Sequence, residues 1–393
     1  MLAVILPLAL AGCGGGGSSG SSSGPEPTPN VAPITIDGGP AQVPDLAFVS
    51  VTVCTPGSTT ACQTIDHVQV DTGSSGLRLL ASALSPTLAL PQKTDSTGDA
   101  IAECAQFVDG YSWGSLHAAD IRIAGEAAHG VAVQVIGDSA FPTVPETCSS
   151  SGPPENTVES FGANGLLGVG PFAQDCGAAC AQAVLTGAYY TCASAACSPL
   201  QIAVAQQLQN PVTLFAADDN GVVIQLPAIP AGGAATASGS LIFGIGTRAD
   251  NALGTAKVLT TDATTGNIVT SYNGQAYSNS YLDAGTNFIA FGTHAYPLCT
   301  QIGYGFYCPP TTQNLAATLQ GTNLATSAVA FSFGNADALM GGNPTFYAFD
   351  DIAGPGGDTT TFAWGLPFFF GRNVYTAIEG HSTPGGMGPY VAF

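Results

Sequence analysis

Short runs of alternating apolar and polar residues recur along the chain and predict strands. Residues 46–53 alternate in this way, as do 65–70, where Ile65, Val68 and Val70 are the apolar members. The second run ends in Asp71-Thr72-Gly73-Ser74-Ser75-Gly76, after which Leu77–Leu80 resumes an extended apolar pattern. An acid, a hydroxyl and a glycine at the end of such a run mark a strand end with a turn behind it. Residues 107–114 and 120–123 read as a hairpin with Tyr111 near its tip. Residues 164–170 are apolar and closed by glycines, which fits a buried strand. Further strands are predicted at 239–246, just before Asp283, and at 389–393. One helix is predicted: residues 198–208 open on Ser198 and Pro199 and carry apolar residues at 200, 202, 204 and 208.

Composition points the same way. Apolar residues make up 45% of the chain and charged residues 8%, with 51 Gly and 27 Pro. Such a chain has little material for charge-laced helices and much for short strands joined by turns, so an all-β fold with few short helices is expected. Its 393 residues suffice for two domains or one large β unit. The small-residue run Pro227–Thr236 marks the predicted boundary, with one β unit over 36–230 and a second over 231–393.

The net charge of −20, with six Lys and Arg in all, leaves no basic patch to neutralise phosphates, so no nucleic-acid partner is expected. Near the start, Leu2–Leu10 is an apolar run too short to span a bilayer. Leu10-Ala11-Gly12-Cys13 resembles a bacterial lipoprotein signal-peptidase box, which implies cleavage before Cys13 and lipidation of its thiol. By the same resemblance, Gly14 implies sorting to the outer membrane. Residues 14–35, rich in Gly, Ser and Pro, then read as a tether from the membrane to the globule.

Ten cysteines remain once Cys13 is set aside, an even number suited to an oxidising compartment. Cys54 and Cys62 can clip one loop, Cys299 and Cys308 another. Cys176, Cys180, Cys192 and Cys197 can pair among themselves or hold a zinc ion. Cys104 and Cys148 are then left for each other. The histidines His67, His117, His129, His294 and His381 are scattered and read as structural or surface residues. There is no His-Glu-x-x-His motif and no phosphate loop.

Four stations, in order, resemble the pepsin-like aspartic proteases. Asp71-Thr72-Gly73-Ser74 is similar to the first catalytic triplet of that family, and Asp283-Ala284-Gly285-Thr286 to the second. Tyr111, in Tyr-x-Trp-Gly-Ser, is similar to the flap tyrosine. Leu166-Leu167-Gly168 is similar to the segment that braces the first catalytic loop. The run from Trp364 to Tyr375 is similar to a late segment of the second lobe. The resemblance implies a bilobal β fold with Asp71 and Asp283 as the catalytic pair. Thr72, Gly73, Ser74, Tyr111, Gly285 and Thr286 are implied as supporting or substrate-binding residues. It implies an endopeptidase acting on a polypeptide, as a monomer, with no cofactor and no metal.

Two departures stand out. Ala284 replaces the family's Thr or Ser, removing one of two hydroxyls that tie the loops together. Trp113 sits where the flap usually has a small residue, which implies a narrower cleft. The alternative expectation is therefore a protein of the same fold that binds its ligand without cleaving it.

Overall fold

The computed structural model describes residues 29–393 apart from 195, 294 and 304. The expected signal, Cys13 and most of the tether lie outside the described residues. The chain opens with β1 (Val31–Ile36), β2 (Phe48–Cys54), β3 (Cys62–Asp71), β4 (Ser75–Leu80), β5 (Ala100–Gln106), β6 (Tyr111–Ile123) and β7 (Glu126–Ile136). Next come β8 (Gly165–Val169), β9 (Tyr189–Ala193), β10 (Ala196–Pro199), β11 (Gly221–Leu226), β12 (Ala237–Phe243) and β13 (Val258–Thr260). β14 (Ile268–Tyr272), β15 (Gln275–Leu282), β16 (Ile289–Phe291), β17 (Gln313–Gln320), β18 (Thr326–Phe333), β19 (Ala353–Gly354) and β20 (Thr361–Trp364) follow. The chain closes with β21 (Arg372–Ala377), β22 (Ser382–Thr383), β23 (Gly386–Met387) and β24 (Tyr390–Ala392). No described helix exceeds seven residues, so the protein is all-β as its composition implies. Among the described residues no helix is long and apolar enough to cross a membrane.

Two sheets carry the architecture. One has fifteen strands and runs from β10 to β13, drawing on both ends of the chain. Within it β6 pairs with both β7 and β2, so β2-β3-β8-β4-β7-β6 closes on itself. The other has seven strands in the order β18-β17-β14-β15-β20-β16-β19. A five-strand arrangement occurs twice. In β2-β3-β8-β4-β7 the successive pairings are antiparallel, parallel, antiparallel and parallel. The order β14-β15-β20-β16-β19 repeats them in the same sense. In both units the strands are met in the same chain order, and in both the first pair carries a register shift.

Side chains explain the packing. In the second unit Phe291, Phe362 and Trp364 stack, with ring centroids 5.0 and 4.6 Å apart, and Phe331 meets the Trp364 edge at 5.2 Å. Aromatic contacts of this kind add to the burial of large apolar faces. Five disulfides pair the ten cysteines as 54–62, 104–148, 176–180, 192–197 and 299–308, which removes the zinc alternative. Cys54 and Cys62 are facing partners at the loop end of the β2–β3 hairpin.

Three expectations change. The expected helix over 198–208 is instead the end of β10, an extended stretch and a single tight turn at Val204–Gln206. The Cys192–Cys197 clip fixes a β9–β10 hairpin there. The apolar residues then bury Ile202 and Leu208 from an extended backbone, bonded through Leu200 N–H to Tyr189 and Ile202 N–H to Cys180. The tether ends earlier than predicted, because Val31–Ile36 pairs along its whole length with β12. Residues 227–236 join β11 to β12, two paired strands of one sheet.

Several carboxyl groups are buried without a cation. Burial drives Asp45 well above the ordinary carboxylate range, against the opposing Phe349 N–H, and the charges of Asp351 and Asp350 add to it. Burial, with Asp350 beside it, pushes Asp351 up to about 6. Burial, with Asp109 beside it, pushes Glu155 up to about 8. Each such group binds its proton more tightly folded than unfolded, so its stabilisation is complete at low pH and is lost as pH rises through the raised value. Asp138 works oppositely but only at the acid end, being held at about 2 by His117 and Ser115. The guanidinium unfolding midpoint is therefore expected to be higher at about pH 5 than at about pH 8, and an equal or lower value at pH 5 would contradict this account.

Candidate active site

Asp71 is the last residue of β3, and the chain turns through Thr72–Ser74 to return as β4. β8 lies between these two strands, parallel to β3 with Gly168 opposite Asp71, and antiparallel to β4 with Gly168 opposite Gly76. A Cβ at Gly168 would sit 2.8 Å from Ser74 atoms, so a glycine is what lets β8 pass beneath the loop. Gly170 N–H donates to the Ser74 carbonyl at 2.8 Å. This is the bracing position expected of Leu166-Leu167-Gly168.

The second loop is built alike. Asp283 follows β15, its N–H donates to the Trp364 carbonyl of β20 at 3.0 Å, and Leu366 N–H donates to the Thr286 carbonyl at 2.7 Å. The two carboxylates are held by matching donors. Asp71 accepts from Gly73 N–H at 2.6 Å and from the Ser74 hydroxyl at 2.5 Å. Asp283 accepts from Gly285 N–H and from the Thr286 hydroxyl, both at 2.7 Å.

The loops meet face to face. A Cβ on Gly73 would lie 2.9 Å from the Asp283 carboxyl carbon, and one on Gly285 would lie 2.7 Å from Asp71 Oδ1. Each glycine thus leaves room for the opposite acid. The missing hydroxyl at Ala284 is covered from one side. Thr72 Oγ1 accepts from Ala284 N–H at 2.9 Å and donates to the Leu282 carbonyl at 3.3 Å. Gln69 Nε2 adds a bond to the Gly285 carbonyl at 2.9 Å. Burial pushes Asp283 well above the usual carboxylate range, and the Asp71 charge and a shared hydrogen bond with Asp71 push it further. Those are the conditions under which one proton serves two carboxyls.

The pair stands at the junction of two hollows, of about 630 and about 280 Å³, both roofed by Phe107 and Val108. The larger continues past Tyr281, Glu155 and Phe288, the smaller past Phe172 and Asn267. Tyr281 is pushed up to about 12 by burial and then by the charges of Asp283 and Asp71. A hollow of about 1130 Å³ beside Gln225, Ser240 and Arg372 has no Asp, Glu or His in its lining.

The structure does not bring Tyr111 to this cavity. The β5–β6 hairpin turns at Phe107–Gly110, earlier than predicted, because Gln106 already faces Tyr111. Tyr111 is buried with Trp113, Tyr190 and the Cys104–Cys148 disulfide, and Phe107 and Val108 take the place over the acids. Trp113 does not narrow the cavity either. Its Nε1–H donates to the Phe141 carbonyl at 2.9 Å and its ring meets Tyr190 edge-on. Ser115, His117 and Asp138 also cluster, but the Ser115 hydroxyl bonds Asp138 directly while His117 Nδ1 faces the Leu90 carbonyl. A nucleophilic triad needs the acid on the far nitrogen of the imidazole. Among the described residues the one group with metal-ligand spacing is Cys299, Cys308 and Asp337, and its sulfurs are already joined as a disulfide. Sequence reasoning missed Gln69, Tyr281 and Glu155. Gln69 alone left a sign, as a polar residue between two apolar ones in a strand otherwise buried near its end.

Replacing Thr72 with Ala leaves the Ala284 N–H and the Leu282 carbonyl without their partner in a buried place. We expect Thr72→Ala to lower stability by about 1–3 kcal/mol and Thr72→Ser to stay near the parent, read from urea unfolding. An equal loss in both variants would show that the hydroxyl is not what matters.

A family described as "Protein of unknown function (DUF3443)" matches residues 26–393. No curated protein matches the chain. With nearly its whole length covered, the chain belongs to the DUF3443 family.

Proposed function

We propose that the protein is an aspartic-type endopeptidase of bilobal, pepsin-like build, tethered in the bacterial envelope. The observation that carries this reading is the pairing of Asp71 and Asp283. Each lies on a strand-end loop, is held by a glycine N–H and a hydroxyl, and shares a cavity with the other. The repeated five-strand unit supports two lobes that each supply one acid. On this reading Asp283 carries the shared proton, in keeping with its raised proton affinity. Asp71, ionised, takes a proton from a water between the two groups, and Asp283 donates to the carbonyl oxygen of the peptide bond. The glycine N–H and hydroxyl donors fix both carboxylates, so little motion is needed during the transfer.

The binding-only alternative rests on Ala284. Thr72 serves both cross-loop bonds by itself, which favours the catalytic reading. The envelope location rests on the Cys13 box and is supported by the pairing of all ten remaining cysteines. Asp109, Glu159 and Asp358 line the larger hollow beside the pair, with no Lys, Arg or His in that lining. A polypeptide with a basic residue near the scissile bond suits this wall better than one with an acidic residue.

The test is cleavage of an unstructured polypeptide from acid to neutral pH by a soluble form lacking residues 1–13. Asp71→Asn and Asp283→Asn are each expected to lower kcat by about 10²–10⁴-fold, and a statine-type inhibitor to block the parent. Activity should be lost as pH rises through the raised value of Asp283. No cleavage at any pH by folded, disulfide-bonded protein would leave the binding reading in its place.

A further inference from the structure

Arg78 is almost wholly buried, seven residues beyond Asp71 in the chain and on the strand that leaves its loop. Its guanidinium makes three contacts with three separate pieces of the chain. Nη1 donates to the Ser75 carbonyl at 3.0 Å, at the foot of the turn that carries Gly73 N–H and the Ser74 hydroxyl. Nη2 donates to Glu103 Oε1 at 2.6 Å, on the strand that leads into the Phe107–Gly110 tip over the cavity. The same nitrogen lies 3.5 Å from Asp175 Oδ2. Asp175 also accepts from the Tyr189 hydroxyl at 2.6 Å, and Leu208 N–H donates to that hydroxyl at 2.8 Å. Leu208 in turn packs against Gly76, where a Cβ would come within 2.6 Å of its side chain. The Ser75 hydroxyl closes the circuit by donating to the Phe172 carbonyl at 2.7 Å, and Phe172 lines the smaller hollow.

We infer that Arg78 is a positioning residue: through one planar guanidinium it sets the Asp71 loop and the β5–β6 hairpin in a fixed relation. It touches neither the reacting atoms nor the cavity around the two acids, and acts through Ser75 and Glu103. The inference rests on the peptidase reading of that cavity for its effect on rate. The charges suit the role. Burial and the nearby Glu103 push Asp175 well above the carboxylate range, against the opposing Arg78, so one cation and one anion balance in the buried cluster. A guanidinium spans such contacts because its donors lie in a rigid fork, which an ammonium lacks.

Arg78→Lys is expected to lower kcat about 10-fold or more with KM within about twofold. Its pH–kcat profile should shift, since the Gly73 N–H and Ser74 hydroxyl donors are no longer held in line. Amide hydrogen exchange in peptides covering 71–76 and 103–110 should quicken together, while 275–282 keeps its rate. Arg248→Lys is the control. Arg248 also binds a buried carboxylate, Asp218 at 2.7 Å, and lies outside the lining of either hollow. It should lose stability and keep the pH profile. A wild-type profile and wild-type exchange in Arg78→Lys would overturn the inference, as would an equal shift of the profile in Arg248→Lys. If Arg78→Lys does not fold, Glu103→Gln, which keeps the shape and removes the charge, carries the same readouts. If the parent cleaves nothing, the peptidase reading falls, and the exchange rates alone still decide whether Arg78 holds loop and hairpin together.

Discussion

Two buried carboxylates in one cavity repel, and the structure must hold them together. Coulomb repulsion between like charges grows as water is excluded, so a pair of this kind opens its site unless each acid is fixed from its own side. Here each is fixed by the turn that follows it, through a backbone N–H two residues on and a hydroxyl three residues on. The turns are themselves joined through Thr72 and Gln69. Burial first, and then the Asp71 charge, shift Asp283 upward, so a proton on Asp283 would relieve the remaining repulsion. The glycines at 73 and 285 matter for the same reason, since any side chain there would occupy the space of the opposite acid.

The sheet topology answers the same constraint on a larger scale. A loop of this kind needs a strand in front of it, a strand behind it and a third strand between, so that its backbone is bonded on both sides. The fold meets this need twice with one arrangement, at β3-β8-β4 and at β15-β20-β16. The parallel pairing is the demanding part, since parallel neighbours require a long connection. Residues 72–164 make that connection in the first unit and include β4 and the hairpin over the cavity. Residues 283–360 make it in the second and include β16, β17 and β18.

How much of this was legible follows from how local each feature is. Asp71 and Asp283 could be read because the acid, the glycine and the hydroxyl that hold each other lie within four residues. The disulfides could be read because four of the five close loops of nine residues or fewer in separation. The helix over 198–208 was misread because its apolar spacing also fits an extended segment, and a disulfide and a hairpin upstream decide between the two. Tyr111 is misplaced because the hairpin turn lies a few residues earlier than the alternation suggests, and pairing with β5, itself paired on its other side with β9, rather than local pattern sets that register. Arg78 and Glu155 left no local sign. What singles them out is the company they keep across 25 or more residues of chain, which no short pattern records.

The scarcity of cations gives these distant contacts their weight. With six Lys and Arg against 26 Asp and Glu, most acids must be solvated, protonated or held by neutral donors. Arg78 and Arg248 are each committed to a buried carboxylate, and Arg372 lies over the Phe368 ring with its donors on backbone carbonyls. Among the described residues no Lys or Arg pairs with Asp45, Asp351 or Glu155, whose proton affinities rise with burial. A chain composed this way stays neutral inside only while those groups keep their protons. On the proposed reading the same condition keeps one proton between Asp71 and Asp283. The fold as a whole and the chemistry proposed for its cavity therefore lean towards the same side of neutrality, and for the same physical reason: burial of acids without bases.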